Sequence, residues 1–477
     1  MLTEREIFSY LMNCGIKVRP NAMNAIKSKF NAASSSAEEI DNLLARWSKF
    51  DILDLKDIED PELQKIEEED LDIFAIDFFT ESTKETYSSQ NKKFIASQSP
   101  PSFFNASQSR TDMYIERFQI AQDRVKMNPN FKSEKPEKCI INSIDSLIGC
   151  YGERIILGML ARTDGKTWVL EDLNSSIKLE IDDIERTSGF FCEGCIVLVQ
   201  GQHCDGIFKV SCIAQPPLFW LSNNPFLYSG PKWKISKPEH SLIILLSSVH
   251  LDDSRVLSLL DTVFQAYCQY KNIMFVLIGN FSSQIIPDVY KYKAMFEDLT
   301  KIIGKYENLL ETAMWVFVPG PNDPGFGEFM PRQKIPLSFV ESVQNLNKWK
   351  LCSNPTNISF CGKKIKVART DQFRKLQRGT VVEPNYEEYP EPESHFAHTL
   401  LKQAHISPTL HTKVIGDYDY CLRIDHSIDI LCIAESTQCF IYNIEDVAVV
   451  NPGNFSRYSS FIQLSGKNLV PEKCFLE

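Results

Sequence analysis

The chain has 477 residues, 43% hydrophobic and 24% charged, a length that suits two or three domains rather than one core. Its formal net charge of −11 excludes a molecule whose whole surface grips phosphates, since that needs a basic face, and directs attention to protein partners. Fourteen cysteines are too dilute for a disulfide scaffold and suit a reducing compartment.

No apolar run approaches the roughly 20 residues of a membrane span, and the charged start MLTEREIFSY predicts no secretory signal. Residues 1–75 read as a small helical module. Thr3 with Glu6 and Ser36 with Glu39 form capping boxes, and Met23, Ile26 and Phe30 share one helix face. ELQKIEEEDLDIFAI (62–76) continues as an acidic helix or tail. Residues 76–137 are rich in Ser, Gln, Asn and Thr around Pro100-Pro101, a linker composition. Helical periodicity returns in TDMYIERFQIAQDRVKMNP (111–129).

Over 138–217 the period drops to two. Five strand-like runs, with Asp164-Gly165 and Asp205-Gly206 as hairpin turns, predict a small barrel of the oligonucleotide/oligosaccharide-binding (OB) type. Cys192-Glu-Gly-Cys195, Cys204 and Cys212 lie in this apolar stretch and read as buried cysteines, not zinc ligands, because only one pair has the favoured spacing. The aromatic, Pro-rich segment PPLFWLSNNPFLYSGPKW (216–233) predicts a buried joint.

From 218 to 477 apolar strands such as LIILLSS and IMFVLIG alternate with helical segments, predicting an α/β domain of two packed sheets. His395 and His398, three apart, read as scattered helix histidines. KKIKVARTDQFRKLQR (363–378) reads as a solvated basic face.

In open α/β sheets chemistry collects in loops at the carboxyl ends of strands. Here those loops are SSVHLD (247–252), GNFSS (279–283), GPNDPGFG (320–327), SNP (353–355), AES (434–436) and NPGNF (451–455). Their order resembles the calcineurin-like metallophosphoesterases, whose loops run D-x-H, G-D-x-x-D/E, G-N-H-D/E, H and G-H-x-H. Such enzymes hold two divalent ions about 4 Å apart between carboxylates, His and Asn. By that resemblance the first Asp is replaced by Ser248 while His250 survives. The bridging Asp is Asn280, the next acid Ser283, the Asn ligand Pro321 and the catalytic His Asn322, with Asp323 retained. The expected site is vestigial, without metal, cofactor or catalysis.

An OB-type barrel before such a domain resembles the B-subunits of replicative DNA polymerases, and GNFSS, WVFVPGPNDPGFG, SNPTNI and VVNPGNF resemble the epsilon member in particular. The resemblance implies a non-catalytic nuclear scaffold for DNA replication. It would bind the zinc-bearing C-terminal region of the catalytic subunit and assemble with small accessory subunits. Residues 1–75 resemble an AAA+ lid, implying a link to the replicative helicase, with DNA contact weak or indirect. The rivals are a metal-dependent phosphoesterase or nuclease with an atypical site, and a single-strand DNA binder through the barrel. The acidic TWVLEDLNSSIKLEIDDIE argues against the second.

Overall fold

The computed structural model describes residues 26–27, 71–104, 107–131, 141–218, 233–235, 240–285, 288–325, 329–410, 412–425 and 427–476. The chain divides into two units, Met1–Asp70 and Leu71–Glu477. In the first, Ile26 and Lys27 are helical; both capping boxes and the rest of the expected helical module lie outside the described residues. So does most of the aromatic joint, 219–232.

The barrel forms as its turn residues dictate. Asp164 (φ 52°) and Gly165 (φ 68°), like Asp205 (φ 50°) and Gly206 (φ 80°), take two successive left-handed positions, the geometry of a tight two-residue hairpin. In Ser176–Glu180, Ile177 and Leu179 are buried while Ser176, Lys178 and Glu180 are exposed. The strands Glu153–Thr163, Thr167–Glu171 and Ser176–Glu180 follow one another as neighbours. Ile207–Ala214 then pairs parallel to Ser176–Glu180. Ile196–Cys204 lies between it and Glu153–Thr163, closing the ring. That is the OB order, 1-2-3-5-4-1.

The remaining chain builds two sheets face to face. One runs Trp233–Ile235, Leu71–Ala75, Thr356–Phe360, Lys363–Arg369, Ile430–Ala434, Val447–Asn451, Phe440–Ile444. The other runs Lys348–Leu351, Met314–Val318, Ile273–Ile278, Leu242–Ser247, Ser460–Ser465, Val470–Phe475. Leu242–Ser247 is buried throughout because both faces are covered. Ile243 and Leu245 meet the opposite sheet. Leu242, Ile244 and Leu246 pack in a second core with helices Ser254–Tyr267 and Val289–Ile303, whose N-termini are capped by Asp253 and Asp288. On the far side of the first sheet, Phe396, Ala397 and Leu400 of helix Pro392–Gln403 share one core with barrel residues such as Phe190 and Val197. Barrel and sheets are thereby joined by apolar burial.

Three expectations are corrected. Leu71–Ala75 is a strand of the first sheet, not the end of an acidic helix: Ile73 and Ala75 alternate into the inter-sheet core, and period two overrides the acidic run before it. The α/β domain therefore begins upstream of the barrel rather than at 218. Nor do the described residues of 76–137 form a linker. Glu85–Ser88 pairs with Lys93–Ala96, and helix Ser107–Met127 packs against the barrel through Phe118 and Val125. The polar residues that suggested solvation fasten it instead. Asp417 accepts from Lys84 Nζ at 3.0 Å and Ser102 N at 3.0 Å, and Arg117 Nη2 lies 2.6 Å from Asp419 Oδ1. Finally, 363–378 is a solvated face only in part: Arg374, Lys375 and Arg378 are exposed as expected, but Lys366 and Arg369 are 3% and 1% exposed.

Candidate functional site

Leu242–Ser247, Ile273–Ile278, Met314–Val318 and Lys348–Leu351 are mutually parallel, so their carboxyl ends and the loops after them share one edge. In the first sheet, Lys363–Arg369, Ile430–Ala434 and Val447–Asn451 are likewise parallel. Hydrogen bonds tie the loops of the two sheets together there.

Ser248 is buried with φ 58° and donates its N–H to Ile278 O at 2.9 Å. Its hydroxyl has no hydrogen-bond partner among the described residues. His250 is half-buried; burial first and the Arg369 charge next push its pKa down, while Asp252 opposes, so it is neutral at physiological pH. Asn280 is buried and its Oδ1 accepts from Asn322 N at 2.9 Å. Asp323 is clamped: Oδ2 accepts from Gly320 N at 2.6 Å, and Oδ1 from Phe281 N at 2.8 Å and Tyr292 Oη at 3.1 Å. Burial raises its pKa to about 6, against the pull of those donors. This clamp explains the glycines. A Cβ on Gly279 would sit 1.9 Å from Asp323 Oδ2, and one on Gly320 would sit 2.4 Å from Asn280 Oδ1.

The structure thus brings Ser248, Asn280, Asn322 and Asp323 together. Ser283 lies apart, exposed, its Oγ donating to Asp252 Oδ2 at 2.5 Å. Pro321 is half-buried in the loop between Gly320 and Asn322. Asp252 and Arg369 were missed in the sequence. Arg369 is the larger omission, because its guanidinium reaches across the crevice. Nε donates to Gly279 O at 3.0 Å, Nη1 to Asp371 Oδ1 at 2.8 Å and to Thr370 O, and Nη2 to Ser436 Oγ at 2.9 Å. The signal available was its place at the end of a strand parallel to the others.

Glu435, in the AES loop, is equally inward. It accepts from Thr370 Oγ1 and from Gln372 N at 3.0 Å; burial, then Asp371, push its pKa up to about 7. Asn354 bridges the sheets, its Nδ2 donating to Pro319 O at 2.9 Å and Arg369 O at 2.8 Å. The crevice therefore holds a guanidinium, neutral amides and two buried carboxyls whose oxygens accept from protein donors. Among the described residues, no three His, Cys, Asp or Glu gather as a metal-binding group. Of the cysteines expected to be buried, Cys192 and Cys195 are, whereas Cys204 is exposed and Cys212 half-buried. His395 and His398 are buried, with His395 Nδ1 accepting from Gly189 N at 3.1 Å.

Residues 107–217 match a family described as DNA polymerase epsilon subunit 2-like, OB-fold domain, and residues 243–442 match the family of the DNA polymerase alpha/epsilon B-subunit. DNA polymerase epsilon subunit 2 of Bos taurus is 29% identical over 413 residues, covering 78% of this chain and 77% of the relative. The DNA polymerase epsilon B-subunit of Arabidopsis thaliana is 27% identical over 409 residues, covering 79% and 78%. That of Saccharomyces cerevisiae is 23% identical over 478 residues, covering 76% and 69%. A solved structure described as a novel archaeal phosphodiesterase overlaps 49% of this chain and 99% of its own at 12% identity, with a TM-score of 0.28; so low a score carries no weight.

Proposed function

The chain belongs to the B-subunit family of DNA polymerase epsilon, and from that premise we propose that this accessory chain is a non-catalytic scaffold built on a degenerate phosphoesterase-like domain. The observation that carries the proposal is Arg369. A two-metal phosphoesterase concentrates about four positive charges in its crevice and holds them with carboxylates and imidazoles. Here a buried guanidinium, donating to Gly279 O and Ser436 Oγ, stands among the loops that would supply those ligands. Asp323 is committed to Gly320 N, Phe281 N and Tyr292 Oη. That donor set does not fit a dinuclear centre, and no reaction step is assigned to it.

In this reading the chain works in the nucleus within DNA polymerase epsilon. It binds the zinc-bearing C-terminal region of the catalytic subunit and joins the small accessory subunits, while the N-terminal unit reaches the replicative helicase. Co-expression with the catalytic subunit tests it: the two chains co-purify, and this chain purified by itself hydrolyses no phosphodiester with added manganese. Hydrolysis abolished by His250→Ala, alongside stoichiometric metal, would establish the metal-dependent nuclease instead.

A further inference from the structure

Helix Pro392–Gln403, the loop before it and the turn between strands Phe440–Ile444 and Val447–Asn451 enclose an open pocket of about 480 Å³, bordered by Ser188 of the barrel. That volume falls within the roughly 300–1,000 Å³ range of ligand sites. His398 lines it and is 6% exposed. Its Nδ1 donates to Ser394 O at 2.9 Å. A carbonyl only accepts, so the proton sits on Nδ1 and Nε2 carries a lone pair. Burial first pushes the His398 pKa down, while the Ser394 carbonyl opposes, so the ring is neutral at physiological pH. Nε2 has no hydrogen-bond partner among the described residues. The neighbouring His395 differs, since its two ring nitrogens meet Gly189 N at 3.1 Å and Tyr389 O at 3.0 Å.

Three carboxylates stand on the exposed rim, Glu388, Glu391 and Glu445. Glu391 accepts from Tyr442 Oη at 2.9 Å. The side chains of Glu388 and Glu445 make no hydrogen bond or ion pair among the described residues, yet both raise the pKa of Lys402 against the effect of its burial, so their charge reaches into the pocket. Lys402 is the single cation among the described residues that line it, and it is engaged: Nζ donates to Ser188 Oγ at 2.8 Å. Tyr389, whose ring centroid lies 4.5 Å from that of His398, and Tyr442 add aromatic wall.

We propose that this pocket receives an arginine side chain of a protein partner, its guanidinium donating to His398 Nε2 and to the carboxylates of Glu388 and Glu445. The pocket offers acceptors that lack donors, one neutral and buried, two charged and on the rim. A guanidinium answers them with five N–H donors in one plane and stacks on aromatic rings, whereas an ammonium is a compact, strongly hydrated charge. A metal ion fits less well, because no three His, Cys, Asp or Glu gather as a metal-binding group among the described residues. With the imidazole buried and the carboxylates outermost, a long side chain enters from a backbone held outside.

The test is ligand-detected saturation-transfer NMR on the full chain with the capped peptide Ala-Arg-Ala, its lysine and citrulline counterparts, and methylguanidinium. The arginine peptide binds saturably, the lysine peptide and methylguanidinium several-fold more weakly, and the citrulline peptide, which keeps the shape without the charge, not detectably. The double variant Glu388→Gln with Glu445→Gln weakens the arginine peptide about fivefold. Both positions are exposed, so this variant folds. His398→Phe, which keeps a ring and removes the acceptor, weakens it comparably; if that variant does not fold, the double variant decides. The proposal is overturned if the arginine peptide shows no saturable binding, if the lysine or citrulline peptide or methylguanidinium matches it, or if the double variant or a folded His398→Phe keeps wild-type affinity. None of these outcomes bears on the scaffold reading, which co-purification with the catalytic subunit decides separately.

Discussion

A guanidinium carries five N–H donors in a fixed plane, and at Arg369 they meet acceptors from both sheets. Gly279 O belongs to the second sheet's loops; Ala434 O at 3.2 Å and Ser436 Oγ belong to the first. One side chain thus ties the crevice shut. Arg369→Met removes these bonds and leaves Gly279 O without its donor, costing about 3 kcal/mol by the general scale for buried networks. Urea denaturation measures it, and a loss under about 0.5 kcal/mol would show that the guanidinium is not a tie. Glu435 gives a pH signature. Its pKa is raised from 4.5 to about 7, so between those values the folded chain holds a proton that the unfolded chain has lost. Stability from this group is therefore full below about pH 4.5 and fades as pH rises through 7. Glu435→Gln abolishes that fall and is about 2 kcal/mol more stable than wild type at pH 8, but not at pH 4.5. His405, lowered to about 4 by burial first, slopes the other way, so the wild-type-minus-variant difference is the quantity to plot.

Among the elements, the barrel was legible because its signals are local. An Asp-Gly pair needs two left-handed positions, and alternating Ile177 and Leu179 need one buried face. The sheets were legible for a related reason, since a strand buried on both faces is apolar throughout. The segment 77–131 was not, because its polar residues have partners about 300 positions away, as in Arg117 with Asp419. A composition rule sees the polarity and misses the partner. The same blindness hid Lys366 and Arg369, and within the crevice it left Asp323 as a stray survivor rather than a clamp. Arg117 supports a prediction of its own. Burial opposes the Asp419 charge, yet Arg117 and then His405 hold its pKa well below the usual carboxylate range. Arg117→Met strands that charge and costs about 3 kcal/mol. The double variant Arg117→Met with Asp419→Asn recovers part of it, which a two-by-two set of denaturation curves reads directly. Full additivity of the two changes would deny the pairing.

For the molecule as a whole, the boundary between its units falls at residue 70 rather than 75. A chain starting at Leu71 keeps the strand that pairs with Thr356–Phe360 and Trp233–Ile235, and is expected to fold with the melting temperature of that unit unchanged. A chain starting at residue 76 loses Ile73 and Ala75 from the inter-sheet core and uncovers an apolar sheet edge; it is expected to aggregate or to melt several degrees lower. In this family reading, the chain from Leu71 also keeps the catalytic subunit in a pull-down while losing the helicase assembly. Retention of both would remove the docking role from residues 1–70.

The strand Leu71–Ala75 has a mechanical side. Tension arriving along the backbone from residue 70 enters the second unit at Leu71. There the chain is bonded on one edge at Leu71, Asp72 and Ile73 and on the other at Ile73, Phe74 and Ala75. The load is thus passed straight into a buried sheet. Bonded along both edges, the strand behaves as the spliced end of a rope rather than a loose knot.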